Sequence, residues 1–179
     1  MNHFPFVTDQ ILQTNLNITF DHIVDLLALS LSPEYKSKRA LVSSLRKTII
    51  IHTASTIEAL LLWKLKSTCD QKCVKLDEDW KYLDIKVIYQ IDDGHEVISG
   101  LRKKEERSID KLDFLRVTDL CVRLKILKQK KLRENIDKVR ALRNRLHIGG
   151  LQEIEKEYKK SDLEFCFKTA KKIKDILRK

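Results

Sequence analysis

From Gln10 onward the apolar residues fall at helical intervals. Leu12, Leu16, Ile23 and Leu27 recur near the helical period up to the stretch "SLSPEY", which predicts a first helix with Thr8 or Asp9 placed to cap it. Ser32 followed by Pro33 and Glu34 reads as an N-cap with proline at the first helical position, opening a long second helix predicted to run to about Lys66. Within it "TIIIHTASTIEALLLWKL" is apolar on nearly every face, as expected of the central, most buried helix.

From Lys75 to Lys104 the period changes. Ile85, Val87, Tyr89 and Ile91 alternate with more polar residues, "DDGHE" supplies an Asp-Gly turn, and "VISG" can return as the partner strand of a β-hairpin. Asp92, Asp93, His95 and Glu96 have the side chains of a metal cluster, but turn chemistry accounts for them and is the reading adopted. Helical spacing then resumes. Asp113 caps a third helix through Phe114, Val117, Leu120, Cys121 and Leu124; the basic connection "KILKQKKLR" leads into a fourth; a last helix begins with Ser161 and Glu164 in capping-box spacing and continues through Phe165, Thr169, Ile173 and Leu177. The expected architecture is an all-α bundle of four to five helices with a small β-hairpin insertion, one domain over residues 1–179.

Composition narrows the function classes. Only 4 Gly and 2 Pro in 179 residues exclude a sandwich or barrel with a turn at every corner. The 36 Lys and Arg against 26 Asp and Glu leave a net charge of +10, which attracts polyanions and makes nucleic acid the first partner to consider. Cys69, Cys73, Cys121 and Cys166 lack the paired spacing of a zinc site and read as packing thiols, so no metal or cofactor is expected. No basic leader with an apolar core and no long uninterrupted apolar run is evident, so the expectation is a soluble, cytoplasmic protein with no membrane partner. No glycine-rich phosphate loop, serine triad or kinase motif is present in the sequence.

The densest chemistry lies in "VRALRNRLHIGG", residues 139–150. On a helical projection Leu132, Ile136, Val139, Leu142 and Leu146 form the core stripe; Arg143 falls at its edge, and Arg140, Asn144 and His147 lie along its flank. A guanidinium at a core edge is costly unless it is paired. Glu58, surrounded in projection by Ile51, Ala54, Leu61, Leu62 and Leu65, is the candidate partner. Two readings remain open: a structural ion pair joining two helices, or a polar pocket in which Glu58 holds Arg143 or His147 for chemistry.

"RALRNRLHIGG" at the end of a late helix, preceded by "FLRVTDLCVRLKIL" and by a long buried helix carrying "TASTIEALL", resembles the HEPN superfamily of higher eukaryote and prokaryote nucleotide-binding domains, over about residues 41–177. The family signature is an arginine followed, after four to six residues, by a histidine. Arg140 to His147 has six intervening residues and fits; Arg143 to His147 has three. Either arginine can meet the histidine on one helical face. The resemblance implies metal-independent RNA cleavage, leaving a 2',3'-cyclic phosphate and a 5'-hydroxyl. In that reaction His147 would move the proton, Arg140 or Arg143 would stabilise the phosphoryl charge, and Asn144 would orient the histidine or the phosphate. It further implies a homodimer whose two motifs form one composite cleft, and leaves open a toxin with a possible cognate antitoxin protein, a phage-defence effector or a housekeeping factor. Lys125, Lys128, Lys130, Lys131 and Arg133 could line the cleft for RNA phosphates, or form a solvated loop. The competing class is a non-catalytic HEPN-like module that binds nucleotide or RNA or pairs with another protein.

Overall fold

The computed structural model describes residues 2–72, 78–106, 108–145 and 156–178. Five α-helices and one two-stranded antiparallel hairpin are found among them: α1 (Gln10–Leu31), α2 (Arg39–Lys72), β1 (Glu78–Asp92), β2 (His95–Glu106), α3 (Phe114–Arg123), α4 (Lys130–Asn144) and α5 (Lys160–Leu177). The fold is thus helical with a hairpin, as the periodicity predicts. The chain forms two compact units, Met1–Ser67 with Asp113–Lys179, and Thr68–Leu112.

In the helical unit the central segment of α2 supplies the core. Ile49, Ile50, Ala54, Ile57, Leu61 and Leu65 are all fully buried. Val117 and Cys121 of α3, Ile136 and Val139 of α4, and Cys166 and Ile173 of α5 are equally inaccessible. Each large apolar side chain removed from water in this way contributes about 1.5–3 kcal/mol. By length and composition α2 could cross a membrane, but half of its most apolar window is buried inside the protein, as in the core helix of a bundle. The thiols serve the same packing. Cys69, Cys121 and Cys166 are buried, and Cys121 Sγ reaches the carbonyl oxygen of Leu61 at 3.7 Å. Burial, assisted by the Asp162 carboxylate, pushes the Cys166 thiol up to about 12, so it carries no nucleophilic thiolate at neutral pH. Cys73 lies outside the described residues.

Several helix starts differ in detail from the sequence reading. Asp9 rather than Thr8 caps α1, accepting from the Leu12 amide at 3.0 Å. Ser32 and Pro33 open only a short 3-10 turn, Pro33–Tyr35, in which the Ser32 hydroxyl makes no capping bond; α2 begins at Arg39 and extends to Lys72. The last helix starts at Lys160, and it is Asp162, not Glu164, that reaches back to accept from the Lys159 amide at 2.8 Å. A carboxylate bonds back to the cap residue only from the third helical position, and the earlier start puts Asp162 there. Asp113 caps α3 as predicted, accepting from Arg116 at 2.9 Å.

In the hairpin unit, Asp92 pairs with His95 across a two-residue Asp93-Gly94 turn, and Asp92 Oδ1 accepts from the Gly94 amide at 2.9 Å and lies 2.8 Å from His95 Nδ1. These bonds lower the Asp92 pKa from its ordinary value, the Gly94 amide first among the causes. The alternation read along β1 is broken by bulges. Asp84 takes a φ of 50° where the register shifts between Leu83 and Lys86, and Gly100 stands opposite. A Cβ on Gly100 would meet the Leu83 carbonyl oxygen at 3.2 Å and the Ile85 Cα at 3.3 Å, backbone atoms that have little room to move. Gly100→Ala is therefore expected to weaken the hairpin by about 1 kcal/mol. Amide exchange in β1 and β2 that stays as slow as in the parent would refute that reading of the bulge.

Candidate functional site

Residues of α2, α3 and α4 border a cavity of about 620 Å³ in the helical unit, lined by charged and polar side chains together with Ile51, Phe114 and Leu115. Ser55 and Glu58 come from α2, Phe114 from the first turn of α3, and Arg140, Arg143 and Asn144 from the last turns of α4. The apolar stripe turns α4 so that these groups face the cavity. Leu132, Ile136 and Val139 are buried as projected, Leu142 is half-buried, and Leu146 lies outside the described residues.

The pairing read from the sequence is present. Arg143 Nη1 donates to Glu58 Oε2 at 2.9 Å, and the Arg143 guanidinium lies 5.9 Å from the centroid of the Phe114 ring. The pair is not a fully buried one. Its side chains retain 33% and 24% of their exposure, so it stands at the cavity wall rather than in the core. There the ion pair gains more than an exposed surface pair and costs less to desolvate than a core pair.

Arg140 is held differently. Its Nη2 lies 3.6 Å from Asp137 Oδ1, a long contact, and its Nε is buried with no hydrogen-bond partner among the described residues. Asp137 is shared with Arg133, whose Nε is 3.7 Å from Asp137 Oδ2 and whose Nη2 meets Asp119 Oδ1 at 2.6 Å. A line of alternating charge thus runs from Asp119 of α3 through Arg133, Asp137 and Arg140 along α4 towards Asn144, which is exposed. The sequence reading missed Asp137, although its spacing of four from Arg133 and three from Arg140 is the ion-pair spacing of a helix. It also missed Asp119, Ser55 and Phe114 at the site, because their approach depends on how the helices cross.

His147, placed in the site by sequence, lies outside the described residues. The cationic residues leading into and opening α4 divide in two. Arg133 is engaged with Asp119 and Asp137, and Lys131 Nζ is 3.5 Å from Glu134, whereas Lys128 and Lys130 are exposed. Lys125 occupies the left-handed region at φ 59°, where the chain turns out of α3. No acid stands in the first turn of α4, so Lys130, Lys131 and Arg133 oppose the positive end of its dipole.

No family model matches the sequence, and no curated protein or solved structure matches it either.

Proposed function

We propose that the protein is a HEPN-type, metal-independent endoribonuclease of the toxin or phage-defence kind, working as a homodimer in which two copies of the cavity form one cleft. The observation that carries this reading is the meeting of Arg140, Arg143, Asn144 and Glu58 in one cavity at the end of α4, immediately before the sequence position of His147. Arg140 borders that cavity with a buried Nε that has no hydrogen-bond partner among the described residues, a donor an anion could take.

The division of labour follows from the contacts. Glu58 neutralises Arg143 and fixes its fork, which makes Arg143 the anchor of the wall. Arg140, held only by the long contact to Asp137, has donors left for a phosphate and is the arginine whose spacing to His147 fits the signature. In the proposed reaction the RNA 2'-oxygen bonds to phosphorus while the bond to the 5'-oxygen breaks. His147 of one copy takes the 2'-hydroxyl proton, and His147 of the other delivers a proton to the leaving oxygen. Arg140 stabilises the charge on the phosphoryl oxygens and Asn144 orients the phosphate. Lys128, Lys130 and Lys131 contact the flanking backbone, where an RNA phosphate would also relieve the uncompensated positive end of α4.

The test is incubation of the protein with single-stranded and structured RNA in excess EDTA. Cleavage to 2',3'-cyclic phosphate and 5'-hydroxyl ends is expected, with DNA and RNA carrying 2'-deoxy at the scissile position left intact. RNA that binds but never breaks would instead identify a binding module. The composite cleft requires a dimer, so light scattering at tens of micromolar, an order-of-magnitude working concentration, should give twice the chain mass. A monomer at that concentration would remove the second histidine from the scheme.

A further inference from the structure

A second cavity in the helical unit, bordered by α1, α2, α5 and the segment before α1, has a volume of about 490 Å³ and an unlike chemistry. Its wall is apolar, with Phe20 and Ile23 from α1, Leu60 from α2 and Phe167 from α5. The two hydroxyl residues in it, Thr53 and Thr56, spend their hydroxyls on their own helix, donating to the Ile49 and His52 carbonyl oxygens at 2.8 and 2.9 Å. With both donors bonded to the backbone, that part of the wall makes no demand for a polar ligand. Charge enters on one side only. Lys171 and Lys174 of α5 and Arg178, the residue just after it, border the cavity against a single acid, Asp175. Among the described residues none of the three cations has a carboxylate in ion-pair range, and Lys174 Nζ rests 5.0 Å from the centroid of the Phe4 ring at the cavity edge.

We infer that this cavity binds a single-chain fatty carboxylate, with the acyl chain along the apolar wall and the carboxylate at Lys171, Lys174 and Arg178. The volume decides the size class. A volume of about 490 Å³ lies within the range of about 300–1,000 Å³ that small-molecule pockets occupy. A nucleotide would leave its base edges unsatisfied against the apolar wall. The excess of cations over the one acid selects an anionic head over a neutral or cationic one. The inference is independent of the ribonuclease reading, because it concerns a different cavity and is tested by binding alone.

The experiment is titration calorimetry of the full chain with dodecanoate below its micelle concentration, beside dodecyltrimethylammonium and butyrate. Dodecanoate should bind one to one with a Kd on the order of 10–100 μM. The ammonium of equal chain length and the short carboxylate should each bind at least about tenfold more weakly. Reversing the rim with Lys171→Glu and Lys174→Glu should weaken dodecanoate by about tenfold or more, and Ala170→Trp, which fills the wall, should do the same. Lys171 is exposed and Lys174 half-buried at the edge, so the rim variant should fold, and the head-group comparison needs no variant at all. Equal affinity for carboxylate and ammonium, no saturable binding of dodecanoate, or full affinity in both the rim and the Ala170→Trp proteins would overturn the assignment.

Discussion

Replacing His147 by alanine should lower the rate of RNA cleavage by about 100- to 10,000-fold, the range that a positioned general acid or base contributes, while leaving melting temperature and dimer mass as in the parent. The proposed chemistry assigns His147 the proton transfers, and no other side chain bordering the described cavity replaces an imidazole: the Glu58 carboxylate is engaged with Arg143 at 2.9 Å. Asp113 borders it, but its carboxylate accepts from the Arg116 amide as the cap of α3. Ser55 and Asn144 offer a hydroxyl and an amide, neither of which exchanges protons readily near neutral pH. A dimer with one parental and one His147→Ala chain gives a sharper readout. If the two histidines act as base and acid of one reaction, the mixed dimer loses nearly as much as the doubly substituted one. Half of the parental rate in the mixed dimer would mean two independent sites, and an unchanged rate in the pure variant would reject His147 altogether.

How far the site was legible in the sequence depended on the range of each contact. Periodicity along α4 placed Arg143 at the core edge, and the apolar surroundings of Glu58 in projection identified its partner 85 residues away. Both inferences rest on one fact, that a helix fixes the direction of each side chain, so two charges at apolar borders need each other. The same logic predicted the buried run of α2 and the Asp113 cap. It stopped at the helix starts, where the choice between Ser32 and Arg39, or between Ser161 and Lys160, turns on one or two hydrogen bonds. It stopped again at the cavity itself. Phe114 beside Arg143, and Asp119 beside Arg133, depend on the crossing of α3 over α4, which no local pattern encodes. The hairpin shows the complementary limit, since alternation announced β1 while the bulge at Asp84 and Gly100, which reverses the faces, left only a glycine as its mark.

The two arginines should part company when each is replaced by alanine. Arg140→Ala is expected to reduce cleavage by about 100- to 1,000-fold, as removal of one donor to a developing phosphoryl charge does. Its effect on stability should stay within about 1 kcal/mol, because the Arg140 contact to Asp137 is long and Arg133 also faces that acid. Arg143→Ala reverses the balance. It leaves the partly buried Glu58 carboxylate without its partner, so the fold should lose about 1–3 kcal/mol, less than the full cost of breaking a core pair because both side chains keep some exposure. For a chain of this size that is a fall of about 2–12 °C in Tm. Glu58→Gln separates charge from shape. If Glu58 serves only to neutralise Arg143, the amide should cost stability of similar size and leave Arg140 free to act, so cleavage measured well below the Tm persists. If Arg143→Ala instead abolishes cleavage at unchanged Tm while Arg140→Ala stays active, Arg143 is the phosphate ligand, Glu58 positions it for chemistry, and the roles assigned here exchange.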